Sequence, residues 1–119
     1  MNAEVKAKWL KALRSGKYKQ GQDYLYADGK MCCLGVACDL YAEEEGGVWT
    51  RTSRAGIYKF EKSMYAPPVN VQMWMGCGEQ DWSLPFTFRS DSNNASIIGL
   101  NDSAKLTFSQ IADVIEAML

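Results

Sequence analysis

The 119-residue chain is long enough for one hydrophobic core and too short for two, and its 47% hydrophobic and 23% charged residues are those of a globular domain. It contains no histidine, which excludes imidazole-based triads, histidine zinc ligands and histidine pH switches. A net charge of −1 speaks against a dedicated duplex-DNA binder, which would be basic, and equally against a heavily acidic DNA mimic.

The first six residues are charged and amphipathic, unlike the apolar run of a signal peptide. No eighteen apolar residues occur together, so no membrane contact and a cytosolic setting are expected. Asn2 is placed to cap a helix whose buried stripe is Val5, Trp9, Ala12 and Leu13, with Gly16 as its left-handed stop. Basic residues concentrate here: residues 1–30 hold seven Lys/Arg against three Asp/Glu, and the remainder six against eleven. Lys6, Lys8, Lys11, Arg14, Lys17 and Lys19 fit either a solvated helix face or a patch that meets an anionic partner.

After a polar loop over 18–21, Asp28-Gly29 between aromatic and apolar runs signals a tight hairpin, since that turn needs positive φ. Cys33 to Glu45 reads as a second helix with Cys33, Leu34, Ala37, Leu40 and Tyr41 on one face, ended by Gly46-Gly47. Gly35 inside it costs about 1 kcal/mol relative to alanine, which implies a close approach of another segment to its backbone. Val48–Thr50 and Ile57–Phe60 read as short strands, and Pro67-Pro68 opens a short helix from Val69 to Met75 closed by Gly76. Phe86–Arg89 alternates as a strand, 90–96 is a loop, and Ile97–Leu100 is expected as a buried extended segment. The last helix carries the clearest local signature: Thr107 and Gln110 form a capping box, Leu106 and Ile111 a staple, and Phe108, Ile111, Ala112, Ile115 and Met118 one face. The expected architecture is α+β, one domain over 1–119, with a small antiparallel sheet and N-terminal, middle and C-terminal helices.

Four cysteines (Cys32, Cys33, Cys38, Cys77) lack both the spacing and the histidine of a usual zinc site. They read as compact buried apolar residues rather than as a disulfide framework, and no metal or cofactor is expected. Cys77 sits in a Gly-flanked loop but has no histidine base to activate it. Asp39 is placed on the exposed side of the second helix, and no carboxylate pair has catalytic spacing, so no catalytic residue is assigned and an enzyme is disfavoured. Trp9 belongs to the core stripe. Trp49, Trp74 and Trp82 stand near Arg51, Arg54 and Arg89 in mainly loop-adjacent positions, a composition suited to a base stacked on a ring with its phosphate on a guanidinium. The same rings also suit a protein-binding hot spot or plain core packing. Asn101-Asp102 serves either a turn or a ligand contact.

Three blocks carry a family resemblance. They are Trp9-x-x-Ala12-Leu13-Arg14-Ser15-Gly16-x-Tyr18-x-Gln20-Gly21, Cys32-Cys33-Leu34-Gly35-Val36-x-Cys38-Asp39-Leu40, and Leu100-Asn101-Asp102 followed by Phe108-x-x-Ile111-Ala112-Asp113-x-Ile115-Glu116. Together with Trp74-x-Gly76, the chain resembles, along nearly its whole length, a widespread family of small bacteriophage-encoded proteins. It departs from that pattern at Ala37 and at Ala66-Pro67-Pro68. The resemblance implies a phage accessory protein in the host bacterial cytoplasm that counters host defence. The expected action is sequestration of a nucleotide-like immune signal, with Trp74, Trp82, Arg51, Arg89, Asn101, Asp102 and Tyr24 as binding residues. Inhibition of a host defence protein, or enzymatic degradation of the signal, are the alternatives. Homo-oligomerisation stays open.

Overall fold

A computed structural model describes residues 1–76 and 97–119. Among them lie five helices and a four-stranded antiparallel sheet: α1 (Ala3–Arg14), β1 (Tyr26–Ala27), β2 (Lys30–Met31), α2 (Cys33–Glu45), β3 (Trp49–Arg51), β4 (Ile57–Phe60), α3 (Val69–Met75), α4 (Ile97–Asp102) and α5 (Phe108–Met118). The architecture is α+β, with helices at both ends and in the middle of the chain. The expected strand over 86–89, Cys77, Trp82 and Arg89 lie outside the described residues.

Local chemistry sets most element ends. The Asn2 carboxamide accepts from the backbone N–H groups of Glu4 and Val5 and starts α1. Thr107 and Gln110 make the reciprocal capping box of α5. Pro68 precedes α3, and Gly76 ends it in the left-handed conformation. Asp28 (φ 53) and Gly29 (φ 76) form the hairpin turn between β1 and β2.

The sheet order is β2-β1-β4-β3. In register, Lys30, Ala27 and Ile57 follow one another across β2, β1 and β4 and share one face. Met31, Tyr26, Tyr58 and Arg51 share the other. The loop before the hairpin joins this sheet, because Met31 donates its N–H to the Lys19 carbonyl and accepts that of Gly21, both at 2.8 Å.

α2 runs through the centre. Its first six residues, Cys33 to Cys38, are all buried, so the single-face reading of this helix is corrected to burial all round in its first half. Leu40 and Tyr41 are only half-buried. Gly35 is needed there: a Cβ would run into the backbone carbonyl of Leu25. Val5, Trp9 and Leu13 of α1, Val71 and Met75 of α3, Ile97 and Leu100 of α4, and Phe108, Ile111 and Ile115 of α5 complete one core cluster with Leu25 and Phe60. Ile97–Leu100, expected as extended, is helical. Ile97, Leu100 and Asn101 fall at the i, i+3, i+4 spacing of one buried helical face, and that packing outweighs the strand preference of two adjacent isoleucines and the low helix propensity of Gly99.

Candidate functional site

The two cross-strand faces divide the predicted site residues. On the face of Lys30, Ala27 and Ile57 lies a cleft of about 540 Å³. One wall is the 21–24 loop with Asp23 and Tyr24; the other is formed by Asp28 of the hairpin turn and Arg54 of the β3–β4 turn. Arg54 reaches across to donate from Nη1 to the Tyr24 hydroxyl at 3.1 Å. The Tyr24 ring stacks on Tyr65, with centroids 5.3 Å apart.

Both walls are tied down. The Asp23 N–H donates to the Asp102 carboxylate at 3.0 Å, and the Asp28 N–H to the Gly56 carbonyl at 2.8 Å. Lys30 and Arg54 are exposed and make no ion pair among the described residues, so two cations and two carboxylates face the cleft without neutralising one another directly. An aromatic ring, a guanidinium, an ammonium and two carboxylates on fixed walls can hold a planar, phosphate- and hydroxyl-bearing molecule.

Tyr24 therefore lines the cleft, and Asp102 braces its wall. Asn101 has no exposed surface, and its carboxamide is consumed internally: Oδ1 accepts from Gln20 Nε2 at 3.0 Å and from the Cys33 N–H at 3.2 Å, while Nδ2 donates to the Gly21 carbonyl and to Asp102, each at 2.8 Å. Arg51 is exposed on the opposite sheet face, in register with Tyr58. Trp74 packs edge-on against Tyr41, centroids 5.5 Å apart, and Trp49 edge-on against Tyr26 and Phe60. Both indoles are half-buried against the core, and neither lines the Tyr24 cleft. Trp82 and Arg89 fall outside the described residues.

In the sequence Arg54 stands only as a neighbour of the tryptophans, and no local pattern marks Asp23, Asp28 and Lys30 as cleft residues. The hairpin signal at Asp28-Gly29 was the usable clue, since pairing β1 with β4 brings the β3–β4 turn beside it.

Asp39 is also more than a solvated acid. It accepts from the Tyr18 hydroxyl at 2.8 Å and from Trp49 Nε1 at 3.2 Å, pinning the sheet and the post-α1 loop to α2. Burial, and then this hydrogen bond, raise the Tyr18 phenol above its usual pKa. Cys32, Cys33 and Cys38 are free and buried. Burial pushes the Cys32 thiol up to about 11 and the other two well above the usual value, so all three stay protonated and poorly nucleophilic near neutral pH. Among the described residues no helix is long and apolar enough to cross a membrane.

The family model described as Domain of unknown function (DUF8296) matches residues 1–119. No curated protein and no solved structure matches the chain.

Proposed function

The chain belongs to the DUF8296 family of domains of unknown function, so its activity has to be read from its own site, and we propose that it binds a nucleotide-like small molecule and holds it without transforming it. One observation carries this reading: the 21–24 loop with Asp23 and Tyr24 faces Asp28 and Arg54 across a cleft of about 540 Å³ that Lys30 also lines, within the size range of small-molecule sites. The base stacks on or beside the Tyr24 ring, the phosphate meets Arg54 and Lys30, and Asp23 and Asp28 accept from sugar hydroxyls or an exocyclic amine. Together with the resemblance to small phage-encoded proteins, this makes the chain a sponge that withdraws a host immune signal in the bacterial cytoplasm.

Calorimetry and native mass spectrometry against cyclic nucleotides and ADP-ribose derivatives test it. A stoichiometric complex that releases ligand of unchanged mass on denaturation is the expected result. A changed mass would replace sequestration with degradation, and no complex with any member would overturn the proposal.

A second reading has its own support. Val69 and Met73, one helical turn apart on α3, are 68% and 75% exposed, and Val48 is 63% exposed. The Val48 carbonyl accepts the Glu61 N–H, and the Glu61 carboxylate accepts from Asn70, which links the Val48 backbone to α3 through Glu61. An apolar patch of this kind suits inhibition of a host protein. Co-purification of one stoichiometric protein from infected cells, lost on Met73→Glu, would favour it.

A further inference from the structure

A second concavity lies away from the Tyr24 cleft, in the groove between α1 and α2, with a volume of about 560 Å³. Its floor is mainly apolar and is made by Ala12, Leu40 and the ring of Tyr18. The sequence explains why it is open. Trp9 turns into the core, where its Nε1 donates to the Cys33 carbonyl at 2.8 Å. Three residues later, Ala12 presents only a methyl group toward the groove. Gly16 (φ 76) then redirects the chain so that the Tyr18 hydroxyl reaches Asp39 on α2.

The rim charges differ in how they are used. Lys8 is paired with Glu44 at 2.9 Å and Lys17 with Glu43 at 3.5 Å, each pair joining the basic stretch around α1 to the acidic end of α2. Lys11 also lines the groove and has no carboxylate partner among the described residues. Lys11 thus brings one ammonium without an ion-pair partner among the described residues to a groove with an apolar floor, across from the two paired glutamates of α2.

We infer that the α1–α2 groove binds an amphiphilic monoanion, a carboxylate or sulfonate on an aliphatic or aromatic body, with the anion on Lys11 and the body on Ala12, Leu40 and Tyr18. A polyanion would find a single unpaired cation among the groove's described residues, since Lys8 and Lys17 are held by Glu44 and Glu43, and an uncharged amphiphile leaves Lys11 unused. This site shares no lining residue with the Tyr24 cleft, so the two proposals stand or fall separately.

The probes are 1-anilinonaphthalene-8-sulfonate, followed by its fluorescence on the folded full chain, and sodium decanoate below its micellar concentration as competitor. Saturable one-to-one binding, displacement by decanoate, and methyl NMR shifts at Ala12 and Leu40 are expected. Lys11→Glu should weaken decanoate binding about tenfold, while Lys62→Glu, an exposed lysine outside the groove, should not change it. Matching thermal melts of the two variants separate lost binding from lost folding. Equal affinity in both folded variants, methyl shifts confined to other residues, or no saturable binding at millimolar decanoate would overturn the inference. Should Lys11→Glu fail to fold, the methyl shifts of the unaltered chain decide alone.

Discussion

Asn101 Oδ1 accepts the backbone N–H of Cys33 at 3.2 Å, so a side chain of α4 caps the buried start of α2 from 68 residues away. That N–H is one of the donors a helix leaves unpaired at its first turn, and Cys33 is fully buried, out of reach of water. The same carboxamide holds Gln20, the Gly21 carbonyl and Asp102, which in turn fixes the Asp23 wall of the cleft. Asn101→Ala leaves buried donors and acceptors without partners and should cost about 3–4 kcal/mol, read as a lower urea midpoint. Asn101→Asp keeps an acceptor for Cys33 but at neutral pH loses both donor hydrogens and sets a carboxylate beside Asp102. Its loss should shrink on acidification. A cost under about 1 kcal/mol for the alanine variant would refute the capping role.

Gly35 is a second position where one atom decides. Its Cα–H faces the Leu25 backbone, and backbone cannot swing aside as a flexible side chain can. Gly35→Ala gains about 1 kcal/mol in helix propensity and should still destabilise the fold by about 3 kcal/mol or more, or prevent it from folding. Thermal unfolding of the purified variant checks the sign.

These two residues also mark what the sequence made legible. The expectation that something packs tightly on Gly35 came from the local cost of a helical glycine, and the caps at Asn2, Thr107 and Gly76 were readable because capping is short-range chemistry. The role of Asn101 was not readable, because its partners lie at Gln20, Gly21 and Cys33, and no local pattern encodes those pairings. For the same reason the sequence of α4 suggests an extended segment: two isoleucines favour strand and a glycine disfavours helix locally, while the core takes Ile97, Leu100 and Asn101 as a helical face. Aromatic and arginine content pointed to a site, but register decides which sheet face each residue serves. It puts Arg51 on the face opposite the Lys30–Ala27–Ile57 row that floors the cleft.

The buried thiols give the fold an alkaline limit. Below about pH 9, the ordinary thiol value, folded and unfolded chains both keep Cys32, Cys33 and Cys38 protonated, and the stabilisation from their burial is intact. Above it the unfolded chain releases protons that the folded chain retains, so stability falls as pH rises, by up to about 1.4 kcal/mol per pH unit for each thiol. Cys32 ceases to add to this slope beyond about pH 11. The raised Tyr18 phenol acts in the same direction. Urea unfolding at pH 8, 9 and 10 should show the decline, and Cys38→Ala should flatten it by close to one proton. An unchanged slope in that variant would contradict the burial argument.

The cleft and the tryptophans make opposite demands on mutagenesis. Arg54 is exposed, and its side chain bonds only the Tyr24 hydroxyl among the described residues, so Arg54→Ala should change stability by less than about 0.5 kcal/mol. If the cleft holds a phosphate, the same change removes a charge-assisted contact and should weaken nucleotide binding about tenfold or more. Trp74 is half-buried against Tyr41, so Trp74→Ala should cost about 2–3 kcal/mol of stability through lost packing. At a temperature where that variant remains folded, its nucleotide affinity should match the parent chain, because its ring contact is with Tyr41 and it does not line the cleft. Calorimetry and thermal melts on the two variants separate these effects. Affinity lost with Trp74 and kept without Arg54 would move the site from the Tyr24 cleft to the α3 surface, where the exposed Val69 and Met73 lie.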